Sequence, residues 1–239
     1  MYTEYNKYLR HIVLPEIGIE NQDKISTSKV LCIGAGGLGS PAITYLTMLG
    51  VKNIHVIEFD NIDETNLNRQ FIFKEKNIGK KKSSCVKKHV KELNSKTNIE
   101  IYNKKLNYQD AIKLFSDYTV ILECTDNTES KLLISDAGIK SNVPVIHSSI
   151  FGFEGYICII SKNNMCYRCI YSKLNFNECI DYGVFGPIAG IMGILQASEA
   201  IKIILNKDSI LKTNLLLCNL ITLSFDMIKI KKNLCHTCN

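Results

Sequence analysis

Four of the ten cysteines stand in two C-x-x-C pairs, Cys166 with Cys169 and Cys235 with Cys238. Four thiolates spaced in this way match a closed tetrahedral zinc site, in which each tight turn supplies two ligands. Such a site is structural, because four protein ligands leave no open position for substrate. Either pair taken alone would also suit a redox dithiol. A second group begins at Gly34-Ala35-Gly36-Gly37-Leu38-Gly39, a G-x-G-x-x-G run whose glycines let backbone N–H groups approach a phosphate. Glu58 follows 19 residues after Gly39, where a carboxylate accepts hydrogen bonds from ribose hydroxyls. This pair of features specifies a nucleotide without saying which one, and glycines that merely pack a helix on a sheet are the bland alternative.

Asp60, Asn66, Arg69, Gln70 and Lys82 come next. A nicotinamide cofactor does not need so many phosphate-seeking side chains, whereas a triphosphate does, because its charge must be neutralised before a nucleophile can reach phosphorus. ATP therefore fits better than NAD. Lys82 also belongs to the run Lys80-Lys81-Lys82, which alone would read as a solvated helix face. Cys124-Thr125-Asp126-Asn127 offers Asp126 as a magnesium ligand, with Asn127 shaping the turn; Asp126 would equally serve as a helix cap. Cys179, just ahead of a glycine-containing helix start, is a candidate nucleophile. Cys32, Cys85, Cys124, Cys158 and Cys218 read as small buried hydrophobes, and His11, His55, His89 and His147 as ordinary structural residues.

The elements that must position these groups follow from hydrophobic periodicity. Apolar residues at helical spacing, broken at Pro15 and Gly18, predict two short helices over residues 1–28. Strand-like runs at Val30–Ile33, Asn53–Phe59, Ile99–Tyr102, Thr119–Cys124 and Val143–His147 alternate with helical segments at 40–49, 80–93, 109–115 and 129–140, an order that gives a parallel sheet with helices on its faces. After Ser149 the pattern turns to strands at 155–161, 215–219 and 224–230 with one long helix at about 187–205, expected as antiparallel additions to the same sheet. The stretch 163–182 reads as a crossover loop.

Composition narrows the function classes. The 239 residues, 46% hydrophobic and 22% charged, exclude a disordered or fibrous chain. The net charge of +6 comes from 26 Lys but only 3 Arg, so Arg10, Arg69 and Arg168 stand out as candidates for anion recognition or for packing that needs a planar fork. No aromatic-interleaved basic patch accompanies the charge, which argues against nucleic acid. The longest apolar run, Val184 to Leu195, is 12 residues, shorter than a bilayer needs, and no secretory leader is expected, so the thiols are assigned to a reducing, cytoplasmic setting.

In order, Arg10-His11-Ile12-Val13-Leu14-Pro15, Gly34 to Ser40, Glu58-Phe59-Asp60, Asn66-Leu67-Asn68-Arg69-Gln70, Gly79 with Lys82, Cys124 to Asn127 and the two cysteine pairs resemble the MoeB/ThiF family, whose members activate ubiquitin-like sulfur-carrier proteins. The resemblance implies a nucleotidyltransferase that uses ATP and Mg2+ to adenylate the C-terminal Gly-Gly carboxylate of a β-grasp carrier, releasing pyrophosphate, in molybdopterin or thiamin biosynthesis or a related thiolation. It implies that Glu58 holds ribose, that Asn66, Arg69, Gln70 and Lys82 cradle phosphates, and that Asp126 positions Mg2+. It also implies that Arg10 reaches across the two-fold interface of a homodimer and that Zn2+ sits among the four cysteines; Cys179 falls where ThiF-like members have a cysteine that accepts or relays sulfur from a separate donor protein and MoeB-like members one with no agreed essential role. Glu58 departs from the more usual Asp, and Ile180-Asp181-Tyr182 replaces a smaller, more acidic segment, which bears on partner choice. The competing readings are an NAD-dependent oxidoreductase and a non-catalytic zinc scaffold. The expected architecture is an α/β, Rossmann-like, mostly parallel sheet with added C-terminal antiparallel strands and a zinc knuckle pair: a helical arm at 1–28, a nucleotide-binding half at 29–150, and a zinc-bound, partner-binding half of the same domain at 151–239.

Overall fold

The computed structural model describes residues 5–162, 164–174 and 183–230. Cys179, Cys235 and Cys238 lie outside the described residues. Two short helices, α1 (Leu9–Ile12) and α2 (Gly18–Thr27), precede the sheet. The first five strands are β1 (Lys29–Ile33), β2 (Asn53–Ile57), β3 (Asn98–Tyr102), β4 (Val120–Glu123) and β5 (Val145–Phe151). Helices α3 (Gly39–Met48), α4 (Lys82–Leu93), α5 (Tyr108–Phe115) and α6 (Thr128–Ser141) alternate with them. Then come β6 (Glu154–Ile160), α7 (Tyr167–Leu174), α8 (Gly186–Ile204), β7 (Asn214–Asn219) and β8 (Ser224–Lys229).

All eight strands join one sheet in the order β3-β2-β1-β4-β5-β6-β7-β8. Neighbours from β3 to β5 are parallel, and β5 to β8 pair antiparallel. The sheet is therefore continuous across residue 150. Alternate residues of each central strand feed opposite cores: Val30, Cys32, Ile54 and Leu122 pack on the face covered by α3, α4 and α8, while Leu31, Ile33, Ile121 and Val145 pack beneath α5, α6 and α7. The near-continuous apolar strands follow from this double coverage.

Two expectations need correction. Within the stretch read as a loop, Tyr167–Leu174 forms α7, because Tyr167, Ile170 and Tyr171 recur at i, i+3 and i+4 and join the core under α6. The Tyr167 N–H also donates to Ser135 Oγ at 3.0 Å, tying the helix start to α6. Secondly, α8 is 19 residues and long and apolar enough, by length and composition alone, to cross a bilayer. Its buried residues, Ile188, Ala189, Met192, Gln196 and Ala197 among them, face α3 and strands β4 to β6.

Candidate active site

The chain runs from β1 outward to β3, then returns to place β4 on the other side of β1. Open parallel sheets bind ligands at such a reversal, outside the carboxyl ends of the strands. A cavity of about 750 Å³ occupies that place, a size that suits a nucleotide with part of a second substrate.

Its floor is the turn between β1 and α3. Gly34 has φ of +96°, and a Cβ there would lie 2.6 Å from the Cys124 carbonyl oxygen. At Gly39 a Cβ would meet the Gly34 carbonyl oxygen at 2.2 Å, so this glycine serves the close packing of helix on strand and does not line the cavity. Gly36 and Gly37 do line it. Glu58, at the end of β2, is buried and accepts from the Ala35 N–H and the Asp60 N–H, each at 2.9 Å. One carboxylate thus ties the glycine turn to the end of β2 and keeps further lone pairs for hydroxyl donors.

The cationic wall is equally specific. Lys82 opens α4 with its side chain buried and its Nζ 3.0 Å from Asp60 Oδ2, whereas Lys80 and Lys81 are exposed. The solvated-face reading therefore holds for its neighbours and not for Lys82. Arg69 donates from Nη1 to the Thr65 carbonyl at 2.8 Å and to Asn68 Oδ1 at 3.0 Å, and its stem lies about 3.5 Å from where a Gly37 Cβ would be. Gln70 is buried beside Gly36 and lines the cavity, and its buried Oε1 has no hydrogen-bond partner among the described residues. Asn66 stands behind this wall: its Oδ1 accepts from the Asp63 N–H at 3.3 Å and its carbonyl from the Gln70 N–H at 2.9 Å, which fixes the turn carrying Arg69 and Gln70. Arg10 is exposed on α1, outside the cavity.

At the end of β4, Asn127 caps α6 by accepting the Ser130 N–H at 2.9 Å. The capping role considered for Asp126 thus falls to its neighbour, and Asp126 stays exposed on the cavity wall. Beneath it lies a buried polar cluster around His147, which by sequence alone reads as an ordinary structural residue. Glu123 Oε1 accepts from the Thr125 N–H at 2.7 Å and the Thr125 hydroxyl at 2.5 Å. Its Oε2 is 2.6 Å from His147 Nδ1, and His147 Nε2 is 3.3 Å from the Tyr156 hydroxyl. Burial pushes the Glu123 carboxyl up, but the His147 hydrogen bond and charge, Lys131 and Thr125 together hold it below the usual carboxylate range. Burial lowers His147, against the opposing pull of Glu123. Both members of the pair are thus held below their ordinary values. The available signal was a pair of ionisable residues at the carboxyl ends of adjacent strands, where they fall in register.

Cys166 and Cys169 are buried with sulfurs 3.5 Å apart. With zinc–sulfur bonds of about 2.3 Å, two thiolates of one tetrahedral ion stand about 3.8 Å apart, so the pair fits as half of such a site. Burial raises the thiol of Cys32 to about 12 and that of Cys124 well above its ordinary value, in keeping with inert core residues.

A doubly wound sheet with a glycine turn, an anchored acidic residue and a cationic wall at its reversal defines a nucleotide-binding α/β protein. The ThiF family model matches residues 8–239, and the chain belongs to that family. It is 38% identical over 233 residues to a probable molybdopterin-synthase adenylyltransferase of Porphyra purpurea, covering 95% of this chain and 61% of that protein. It is 35% identical over 243 residues to the adenylyltransferase and sulfurtransferase MOCS3 of Anopheles gambiae, covering 99% of this chain and 55% of that protein. The chain thus spans little more than half the length of these relatives. Among solved structures, E. coli MccB with AMPCPP and MccA superposes with a TM-score of 0.85 at 22% identity, over 100% of this chain and 75% of that one. E. coli MccB with ATP gives 0.80 at 22% identity, over 91% and 69%. At that identity the likeness is one of fold.

Proposed function

We propose that this protein adenylates the C-terminal Gly-Gly carboxylate of a ubiquitin-like sulfur carrier, consuming ATP and releasing pyrophosphate. One observation carries the reading: a glycine turn anchored by Glu58 shares a single cavity with Arg69, Lys82 and Asp126. Attack of a carboxylate on a polyphosphate brings two anions together, and fixed cations aimed at the developing charge supply the stabilisation water lacks. Glu58 would take ribose hydroxyls on its remaining lone pairs. Arg69 would exchange its two local acceptors for phosphate oxygens, and Lys82 would do so while Asp60 holds it in place. No general base is required, since a carboxylate is already ionised at neutral pH.

Asp126 fits Mg2+, which is commonly held by one or two carboxylates and substrate phosphates; bound there, the ion would neutralise phosphate charge. Arg10, lying outside the cavity of its own chain, would serve a second copy in a homodimer, beside the exposed apolar residues Leu9, Val13 and Leu14. Zn2+ would join Cys166 and Cys169 to Cys235 and Cys238 and secure the C-terminal segment. Cys179 would accept or relay sulfur from a separate donor protein, a role outside adenylation itself. The carriers of molybdopterin or thiamin biosynthesis, or of a related thiolation, are the partners this reading selects, and a reducing cytoplasm is the compartment that suits its thiols.

The test is exchange of labelled pyrophosphate into ATP in zinc-replete protein. Exchange that depends on a ubiquitin-fold protein ending in Gly-Gly is expected. No exchange with any such carrier, or tight NAD binding without ATP binding, would overturn the proposal. Cys235→Ser is expected to lower bound zinc while leaving ATP binding unchanged; undiminished zinc would break the four-thiolate assignment.

A further inference from the structure

Lys131, in the first turns of α6, is buried, yet its Nζ makes one hydrogen bond among the described residues, to the neutral Ser149 hydroxyl at 2.7 Å. An ammonium carries three donors, and burying one without an anionic partner is costly. The site makes matters worse, because the N-terminal end of a helix already carries partial positive charge. Glu123 lies close enough for its charge to be felt, but its two oxygens are occupied by Thr125 and His147, and no ion pair within 4 Å joins it to Lys131. Lys131 and Ser149 both line the cavity. The donors left over therefore belong to a place where an anion can arrive.

We propose that the Lys131 ammonium receives the terminal carboxylate of the incoming protein chain, holding it for attack; this rests on the adenylation reading and names a group of the substrate site within it. The other candidate anion is a nucleotide phosphate, but that end of the cavity has its own cations in Arg69 and Lys82. The surroundings of Lys131 are of another kind. Ser149 stands opposite Tyr156 in the β5–β6 register. Tyr167, whose N–H is bonded to α6, has its ring 6.0 Å from that of Tyr171 at a 40° tilt, and both line the cavity with Tyr156 and Phe151. Aromatic walls around one ammonium would strip water from a triphosphate without replacing it. They suit a narrow peptide end whose single charge lies at its tip.

The experiment is a cycle of two changes. A recombinant ubiquitin-fold protein ending in Gly-Gly is prepared as the free acid and as the C-terminal amide, and each form is titrated into the protein without ATP. A hydrogen bond to a charged group is worth roughly tenfold or more in affinity, so amidation is expected to weaken binding to the unsubstituted protein about tenfold. The same amidation should cost Lys131→Met less than about twofold, and Lys131→Arg should restore most of the penalty. Methionine preserves length and apolar contact, so its melting temperature and Mg–ATP affinity report whether folding and the nucleotide end are intact. An equal amidation penalty in Lys131→Met, no penalty in the unsubstituted protein, or a loss confined to Mg–ATP affinity would each overturn the assignment. A protein that binds neither form removes the adenylation reading, and this inference with it.

Discussion

The two ends of the cavity are built by different means. At the nucleotide end the geometry is made by backbone: Gly34 and Gly39 permit contacts that a Cβ would block, and Glu58 fastens the turn through two N–H groups. At the other end it is lined by the side chains of Lys131, Ser149 and Tyr156, from a helix and two paired strands, with the buried Glu123 and His147 behind them. A backbone-built site is stable without its ligand, because its hydrogen bonds are internal to the fold. A network of buried charges is different, since each member's cost is offset only by the others.

That contrast is best broken at Arg69, where the largest effect is expected. Arg69→Ala removes a guanidinium on the cavity wall that hydrogen-bonds to Thr65 and Asn68 of its own local turn. Carrier-dependent pyrophosphate exchange should fall about a thousandfold, or about 4 kcal/mol of transition-state stabilisation, with the melting temperature nearly unmoved. A large drop in melting temperature would show that the cationic wall is part of the packing and not a prepared phosphate site.

At the other end the order of effects should reverse. Glu123→Ala leaves His147 and Thr125 without their shared acceptor and should cost about 3 kcal/mol of stability. For a chain of this size that is roughly 6–12 °C in melting temperature. The pH dependence sharpens the point. Glu123 and His147 both bind protons more weakly in the folded state than in the unfolded one. Their contributions are complete above the unfolded His value near 6.5, and the His147 part is lost first as pH falls below it. The Glu123 part follows as pH falls from the ordinary carboxylate range through its lowered folded value. Urea titrations between pH 7.5 and 4 should show stability falling with acid, with a shallower slope in Glu123→Ala; equal slopes would mean that the pair does not titrate with folding.

Gly34→Ala should lie between these in its structural effect. Its positive φ and the 2.6 Å approach to the Cys124 carbonyl leave no room for a methyl group. A loss of about 1–3 kcal/mol is expected, with ATP affinity falling in parallel because the same turn forms the floor of the site. Retained ATP affinity in a destabilised protein would separate the packing role of this glycine from nucleotide binding.

The same contrast explains what could be read from the residues alone. The strand order, the glycine turn, Glu58 and the cations at Arg69 and Lys82 are local in sequence: each sits at a fixed offset from a strand end, so periodicity and spacing locate it. The Glu123–His147–Tyr156 cluster depends on strand register, and Lys131 on which face of α6 meets β5, neither of which a periodicity count resolves. Helix α7 is hidden for a related reason: its C-x-x-C spacing is a metal-ligand pattern, while of the positions that dock it on α6 Tyr167 lies inside that pair and Ile170 and Tyr171 just beyond it.

The smallest expected effect concerns the scarcity of arginine. Arg10, Arg69 and Arg168 are equally rare by type, yet the structure gives them unlike surroundings. Arg69 borders the glycine turn, and Arg10 is exposed on α1. Arg168 pairs with Asp136 at 2.7 Å across α7 and α6, with its side chain 49% exposed. An ion pair this open to solvent contributes less than about 1 kcal/mol, and a lysine can supply its charge without the fork. Arg168→Lys should therefore shift the melting temperature by no more than about 3 °C and leave pyrophosphate exchange as it was. If exchange falls instead, α7 must transmit its position to the aromatic wall at Tyr167 and Tyr171, and the far end of the cavity would be as sensitive to its supporting helix as the nucleotide end is to its glycines.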